Sequence, residues 1–293
     1  MDRVLHLLEP GVTGTSNPVV SGWTRGGVAR NVAENLARLA VPCSLVSIVG
    51  NDEAGRTLLL DTARQGVDTG LVQKSLSKPT GSCTRAIEPD GELFVSFADM
   101  AICDQMDRSF IQSRWLQIGH ATVVFADTNL PAESLSYLIT GCREHGLTLV
   151  LDAVSASKAR QLPLNLNGVD MLVCNRSEAR AMLGEDIAKD IEGMTRALCQ
   201  RGVASAVVTA GADGICFARG GECVAIPAVS GDAVDVSGAG DAFVAGTLYG
   251  RLQNYDPVTS LRIGAKAAAM TIACRESNCP DLSVEAVTAG LGL

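Results

Sequence analysis

The chain has 293 residues and 30.5 kDa, with 47% apolar, 19% charged and 4% aromatic side chains and a formal charge of -8. At roughly 150 residues per domain this allows one large domain or two small ones, and the apolar share excludes disorder as the main state. So few aromatic rings and so acidic a balance exclude a stacking platform for single strands and a broad phosphate-backbone footprint, so no nucleic-acid partner is expected.

The opening residues MDRVLHLLEPG lack the basic, apolar and small-residue zones of a signal peptide. No apolar run approaches the ~20 residues of a membrane span, and no membrane partner is expected. The ten cysteines are scattered without a CxxC pair, and the three histidines do not cluster, which argues against a structural zinc site. The chain reads as cytosolic and reduced.

In chain order, a buried strand is expected over residues 45–50 (LVSIVG) and a helix from 54 to about 65. Further strands fall at 122–126, 147–152, 171–175 and 206–210, with helical patterns at 132–145 and 177–183 between them. Short, wholly apolar strands alternating with helices predict an α/β fold, a doubly wound and mostly parallel sheet covered on both faces, with ligands at the carboxyl ends of its strands. Residues 70–100 break the rhythm: 83–88, a Pro89-Asp90-Gly91 turn and 93–98 read as a hairpin. A lid over the site and a dimer interface are equally open readings of it.

Four segments carry chemistry. Asp235-Val236-Ser237-Gly238-Ala239-Gly240-Asp241 runs into a helical pattern, so small residues leave N–H groups open at a helix start. Asp241 could there take a proton from an attacking hydroxyl; a capped Gly-rich turn is the plainer alternative. Arg25-Gly26-Gly27 leads to Asn31, a surface suited to polyol hydroxyls or a simple tight turn. Asn175 and Glu178, three apart, could stand beside hydrated Mg²⁺ or form a capping box. Thr209-Ala210-Gly211-Ala212-Asp213-Gly214 suits backbone contact with a nucleotide, or a hairpin turn. No P-loop, GxSxG elbow, HExxH pair or dinucleotide fingerprint is present, which leaves phosphoryl transfer without a P-loop.

Taken together, GG…N, NxxE, TxGxxG and DxxGAGD resemble the ribokinase-like (PfkB-type) carbohydrate kinases over essentially the whole chain. That resemblance implies one kinase domain over 1–293, with a β lid formed mainly by about 70–100 and part of 3–25. It makes Asp241 the catalytic base and Gly238, Ala239 and Gly240 the anion hole. Asn175, Thr209, Gly211 and Gly214 would serve ATP, and Glu178 would hold Mg²⁺ through water. Asp235 and Ser237 would be candidates for a monovalent cation such as K⁺. Gly27 and Asn31 fall where the family binds its sugar. Ser16-Asn17-Pro18, Asp99-Met100, Asp127-Thr128-Asn129, 152–156 and 278–283 resemble the pseudouridine kinase branch. The implied reaction is 5′-phosphorylation of pseudouridine by ATP, with Asn129 on the sugar and Asp127 and Asp99 as candidates for the base edge. A nucleoside is thus the expected partner, and a homodimer through the lid is open.

In that family a central strand ends in an Asp that contacts the sugar, and the spacing places Asp2 on it with almost nothing before it. That strand is therefore expected to be absent, leaving neighbouring ladder groups unpaired at about 1–3 kcal/mol each. Two alternatives accompany the reading: a kinase for another nucleoside or sugar, and a shortened, non-catalytic form.

Overall fold

The computed structural model describes residues 1–184, 190–229 and 234–291. The chain opens with β1 (Asp2–Leu7), β2 (Val19–Thr24), α1 (Val28–Arg38), β3 (Ile48–Gly50), α2 (Glu53–Arg64) and β4 (Gln73–Ser75). Next come β5 (Ser82–Ile87), β6 (Leu93–Asp99), a 3₁₀ turn (Ala101–Gln105), α3 (Arg108–Gln112) and α4 (Trp115–Ile118). The middle alternates as expected: β7 (Val123–Asp127), α5 (Ala132–His145), β8 (Thr148–Asp152), α6 (Ala156–Ala159), β9 (Met171–Asn175), α7 (Arg176–Leu183), α8 (Ile191–Gln200) and β10 (Ser205–Thr209). The hairpin β11 (Ile215–Arg219) and β12 (Glu222–Ile226) is followed by α9 (Ala239–Leu252), α10 (Pro257–Ile272) and α11 (Val284–Thr288).

The main sheet has six strands in the order β12-β11-β10-β9-β8-β7. Strands β7 to β10 are parallel and β11 and β12 antiparallel. Leu149, Val150 and Leu151 of β8 are all wholly buried, because helices cover both faces. One cover is built from α3, α5 and α8 over Leu149, Leu151 and Leu172, the other from α1, α9 and α10 over Val150, Val173 and Val207. Helix α9 is buried along its whole length from Ala242 to Gly250, and α10 lies against it where Gly246 meets Gly264 without side chains. A helix so enclosed shows little amphipathic patterning, since it has no solvent face to mark.

Strand β3 is shorter than the expected 45–50 run. Residues 45–47 stay outside the ladder, and Leu45 packs with Ala33 and Val67 instead. Strands β3 and β4 form a separate parallel pair, so β4 belongs to that pair although it lies within the 70–100 stretch. Strand β7 is one of the two edge strands of the six, and its residues Val123, Val124 and Phe125 are only partly buried.

The remaining strands make a four-stranded sheet, β2-β1-β5-β6, in which β1 runs parallel to β5. Asp2 therefore stands at the start of a strand of this outer sheet. Register puts Asp2 with Cys83 and Val4 with Arg85 on one face, and Trp23, Arg3, Thr84 and Phe97 in one row on the other. The ten cysteines are free thiols. Among the described residues no helix is long and apolar enough to cross a membrane.

Candidate active site

The carboxyl ends of β7 to β10 and the start of α9 converge on one place. Gly238 is the N-cap of α9, at φ +79°, and a Cβ there would collide with the Ser277 carbonyl. Only glycine fits, because both the left-handed backbone and the close approach exclude a side chain. With no side chain at the cap, the N–H groups of Gly240 and Asp241 have no partner among the described residues, and the space beside Gly240 is open. Open first-turn donors and the helix dipole suit an anion.

Asp241 sits in that first turn. Its Oδ2 accepts from Asn31 Nδ2 at 2.6 Å, which joins the start of α9 to the start of α1. Burial pushes the Asp241 carboxyl up to about 7, opposed by the Asn31 hydrogen bond and the Arg30 charge and reinforced by Asp127. A carboxylate that can hold or release a proton near neutrality has the affinity a general base needs.

Around Asn31 the structure gathers the residues expected on the sugar side. Gly27 is the N-cap of α1 at φ +101°, and Gly26 backs onto the Asp2 carboxylate so closely that a Cβ would strike it. Asp127 is buried, and its expected part in reading a base edge is corrected by its bonds. Its Oδ2 accepts from Ala29 N at 3.1 Å and its Oδ1 from Asn129 N at 2.8 Å. Both oxygens brace backbone, so Asp127 ties β7 to the first turn of α1. Asn129 stays partly exposed beside it. Asp99 is exposed at the end of β6, opposite Ser82. Asn17 folds back on its own loop, exchanging hydrogen bonds with Val12, as a turn residue does.

The other group lies on the neighbouring strand ends. Asn175 and Thr209 are register partners in β9 and β10. Asn175 and Glu178 form a complete capping box: Glu178 N donates to Asn175 Oδ1 at 3.0 Å, and Asn175 N donates to Glu178 Oε2 at 2.8 Å. Asn175 Nδ2 also donates to Glu178 Oε1 at 2.7 Å. Both carboxylate oxygens are thus engaged, and burial still raises the Glu178 carboxyl above its ordinary range. Gly211 opens a 3₁₀ turn after β10 and Gly214 caps its end, where a Cβ would meet the Ile226 carbonyl. Arg176 pairs with Asp213 across the mouth at 2.9 Å. Asp152, at the end of β8, is raised well above its ordinary range by burial and by Asp241, Glu178 and Asp127, so it joins the two groups electrostatically.

Asp235 and Ser237 precede the cap. Asp235 Oδ1 accepts from Ser237 N at 2.8 Å, and Ser237 Oγ accepts from Arg85 Nη1 at 3.0 Å. The K⁺ expectation therefore lacks support: a guanidinium already faces that hydroxyl. The same bond fastens the outer sheet to the anion loop, a contact the sequence reading missed. It also assigned no role to Arg30, Glu34 and Asn278, which form a buried network behind Asn31. The signal for the first two was the four-residue spacing of Arg30, Glu34 and Arg38 along α1.

Comparison with known proteins agrees with this geometry. The chain is 31% identical over 275 residues to a pseudouridine kinase of Escherichia coli (strain K12), covering 92% of this chain and 86% of that protein. Its fold matches a carbohydrate kinase from Agrobacterium tumefaciens with a TM-score of 0.84 at 30% identity, over 100% and 94% of the two chains. It also matches the fold of Arabidopsis thaliana ribokinase complexed with ribose and ATP, with a TM-score of 0.76 at 19% identity over 92% and 90%. Residues 21–282 match the pfkB family carbohydrate kinase profile, and the chain belongs to that family: it is a kinase of carbohydrates or nucleosides with a ribokinase-like fold.

Proposed function

We propose that this kinase transfers the γ-phosphoryl group of ATP to the 5′-hydroxyl of pseudouridine. The observation that carries the reading is the Asp241–Asn31 pair at an open helix start. One residue can bind a sugar hydroxyl and the other can take its proton, and the donors for the transferred group lie in the same turn. Asp241 accepts the proton of the 5′-hydroxyl as that oxygen attacks. The N–H groups of Gly240 and Asp241, in the Gly238-Ala239-Gly240 turn, face the developing negative charge. Asp2, Gly27, Asn31 and Asn129 orient the ribose. Thr209, Gly211 and Gly214 take the nucleotide, with Asn175 beside them. The choice of pseudouridine rests on the 31% identity to a kinase of that name.

Magnesium would neutralise the phosphates. The residues fit it only in part: no group of three metal-ligating side chains is found among the described residues, and both Glu178 oxygens are engaged. That donor set suits an ion that keeps its waters and is bound mainly by the nucleotide, with Glu178 touching it through water.

The outer sheet serves as the lid, carrying Asp2 and Arg85 on its inner face. Its outer row holds Trp23 and Phe97, 66% and 65% exposed, and seats a second copy of the chain. Light scattering tests the dimer, and a monomer at working concentration rejects it. The test of function is ATP-dependent phosphorylation of pseudouridine beside uridine, inosine and ribose, with the product identified by mass and position. Turnover of pseudouridine above the other acceptors is expected. Preference for another acceptor rejects the substrate and keeps the kinase.

A further inference from the structure

We infer that Arg30 is a positioning residue of this reaction: by facing the amide oxygen of Asn31 it turns the amide nitrogen toward Asp241. The inference rests on the reading of Asp241 as the base. A primary amide has an acceptor end and a donor end, whereas a guanidinium only donates. Arg30 Nη2 meets Asn31 Oδ1, and Asn31 Nδ2 is thereby left to donate to Asp241 Oδ2 at 2.6 Å. The opposite orientation would set NH₂ against guanidinium and amide oxygen against carboxylate. Arg30 makes that arrangement the unfavourable one.

Arg30 can do this because it is itself immobilised. Its Nε donates to the Gly26 carbonyl at 2.8 Å and its Nη2 to the Arg25 carbonyl at 3.0 Å. Its Nη1 donates to Glu34 Oε2 at 2.6 Å, and Nη2 also reaches Asn278 Oδ1 at 3.3 Å. Glu34 is wholly buried and takes a second charge from Arg38 at 3.0 Å. Asn278 closes the ring from the C-terminal segment, donating Nδ2 to the Asn31 carbonyl at 2.9 Å. A buried ion pair of this kind contributes little net stability, but it holds its members in one geometry. The groups facing Asp241 are Arg30 and Asn31 from α1, Asp127 from β7 and Asp152 from β8. Two of these are carboxylates, and Arg30 is the single cation in that set.

The test is the pH profile of kcat/KM for pseudouridine, or for whichever acceptor the panel selects, in the unaltered chain, R30Q, R30K, N31A and R30Q/N31A. In R30Q the acid limb is expected to move upward by about half to one pH unit, a roughly three- to tenfold larger loss at pH 6 than at pH 8.5. R30K, which still presents only donors to Asn31, is expected to restore most of the limb. A smaller further movement is expected when R30Q is added to N31A, because only the charge of Arg30, and not its hold on the amide, is then lost. An R30Q enzyme with an unmoved limb and a uniform loss overturns the inference. So does an equal shift with or without Asn31, which would mean charge acting through space. Should R30Q fail to fold, ¹⁵N-asparagine NMR of the unaltered chain decides. A hydrogen-bonded side-chain amide whose signal titrates near pH 7 and is lost in N31A supports the inference, and no such signal overturns it. Failure of the base assignment is read separately: D241N would then keep its turnover.

Discussion

Helices α7 and α9 both start near the carboxyl ends of the main strands, and both carry an acid at the third helical position, Glu178 and Asp241. At α7 the cap is Asn175, and cap and acid satisfy each other completely. At α9 the cap is Gly238, which offers no side chain, so Asp241 is held by Asn31 from a distant helix and the first-turn donors stay open. A closed helix end has used its hydrogen bonds on itself; an open one keeps them for a ligand. One glycine in place of one asparagine leaves the first-turn donors of α9 open where α7 has closed its own.

The largest effect expected from breaking this comparison is at Asp241. Asp241→Asn should lower kcat by about 10²- to 10⁴-fold, the usual share of general-base catalysis, measured under saturating ATP and acceptor. The same variant should gain stability relative to the natural chain as pH rises. The folded chain holds the Asp241 proton up to about 7, whereas an unfolded aspartate releases it near 4. The natural chain therefore loses stability as pH rises through that window, and Asp241→Asn does not. Melting curves at pH 5 and pH 8 should show the variant close to the natural chain at the first and above it at the second.

Next comes the cap itself. Gly238→Ala forces a side chain into a left-handed backbone and against the Ser277 carbonyl, and should cost about 1–3 kcal/mol in urea unfolding together with much of the turnover. A fully active, fully stable Gly238→Ala enzyme would mean that the turn adapts freely. In the natural enzyme kcat should rise with pH through about 7 as Asp241 ionises, and a rate flat from pH 5 to 8 would contradict that proton affinity. The smallest effect belongs to the closed end: Asn175→Ala should cost about 1 kcal/mol of stability, as cap removals do, with a modest rise in the KM for ATP and an unchanged kcat.

Much of this was legible in the sequence, for physical reasons that differ from residue to residue. The apolar runs of β8 to β10 announced buried parallel strands, because a strand covered on both faces needs no polar alternation. The three-residue spacing of Asn175 and Glu178 announced a capping box, and the box is there in full. Local rules suffice where partners are local. Asp127 was misjudged because its partners, Ala29 and Asn129, include one 98 residues away, and a buried carboxylate bracing backbone looks in sequence like one offered to a ligand. Charges four apart on a helix ordinarily mark a solvated face, so the spacing of Arg30 and Glu34 does not by itself announce burial. Here that face turns toward Asn278, some 248 residues on, and is buried. The truncation of β3 to Ile48–Gly50 was likewise invisible, since Leu45 is as apolar as a strand residue and serves a different cluster.

The most direct test of the central claim is single-turnover phosphorylation of pseudouridine by ATP, run side by side for the natural chain and Asp241→Asn across pH 5 to 9. 5′-Phosphorylated product is expected from the natural chain, at a rate that climbs through about pH 7, with a slow, pH-flat rate from the variant. Product formed by both chains at similar rates would contradict that claim.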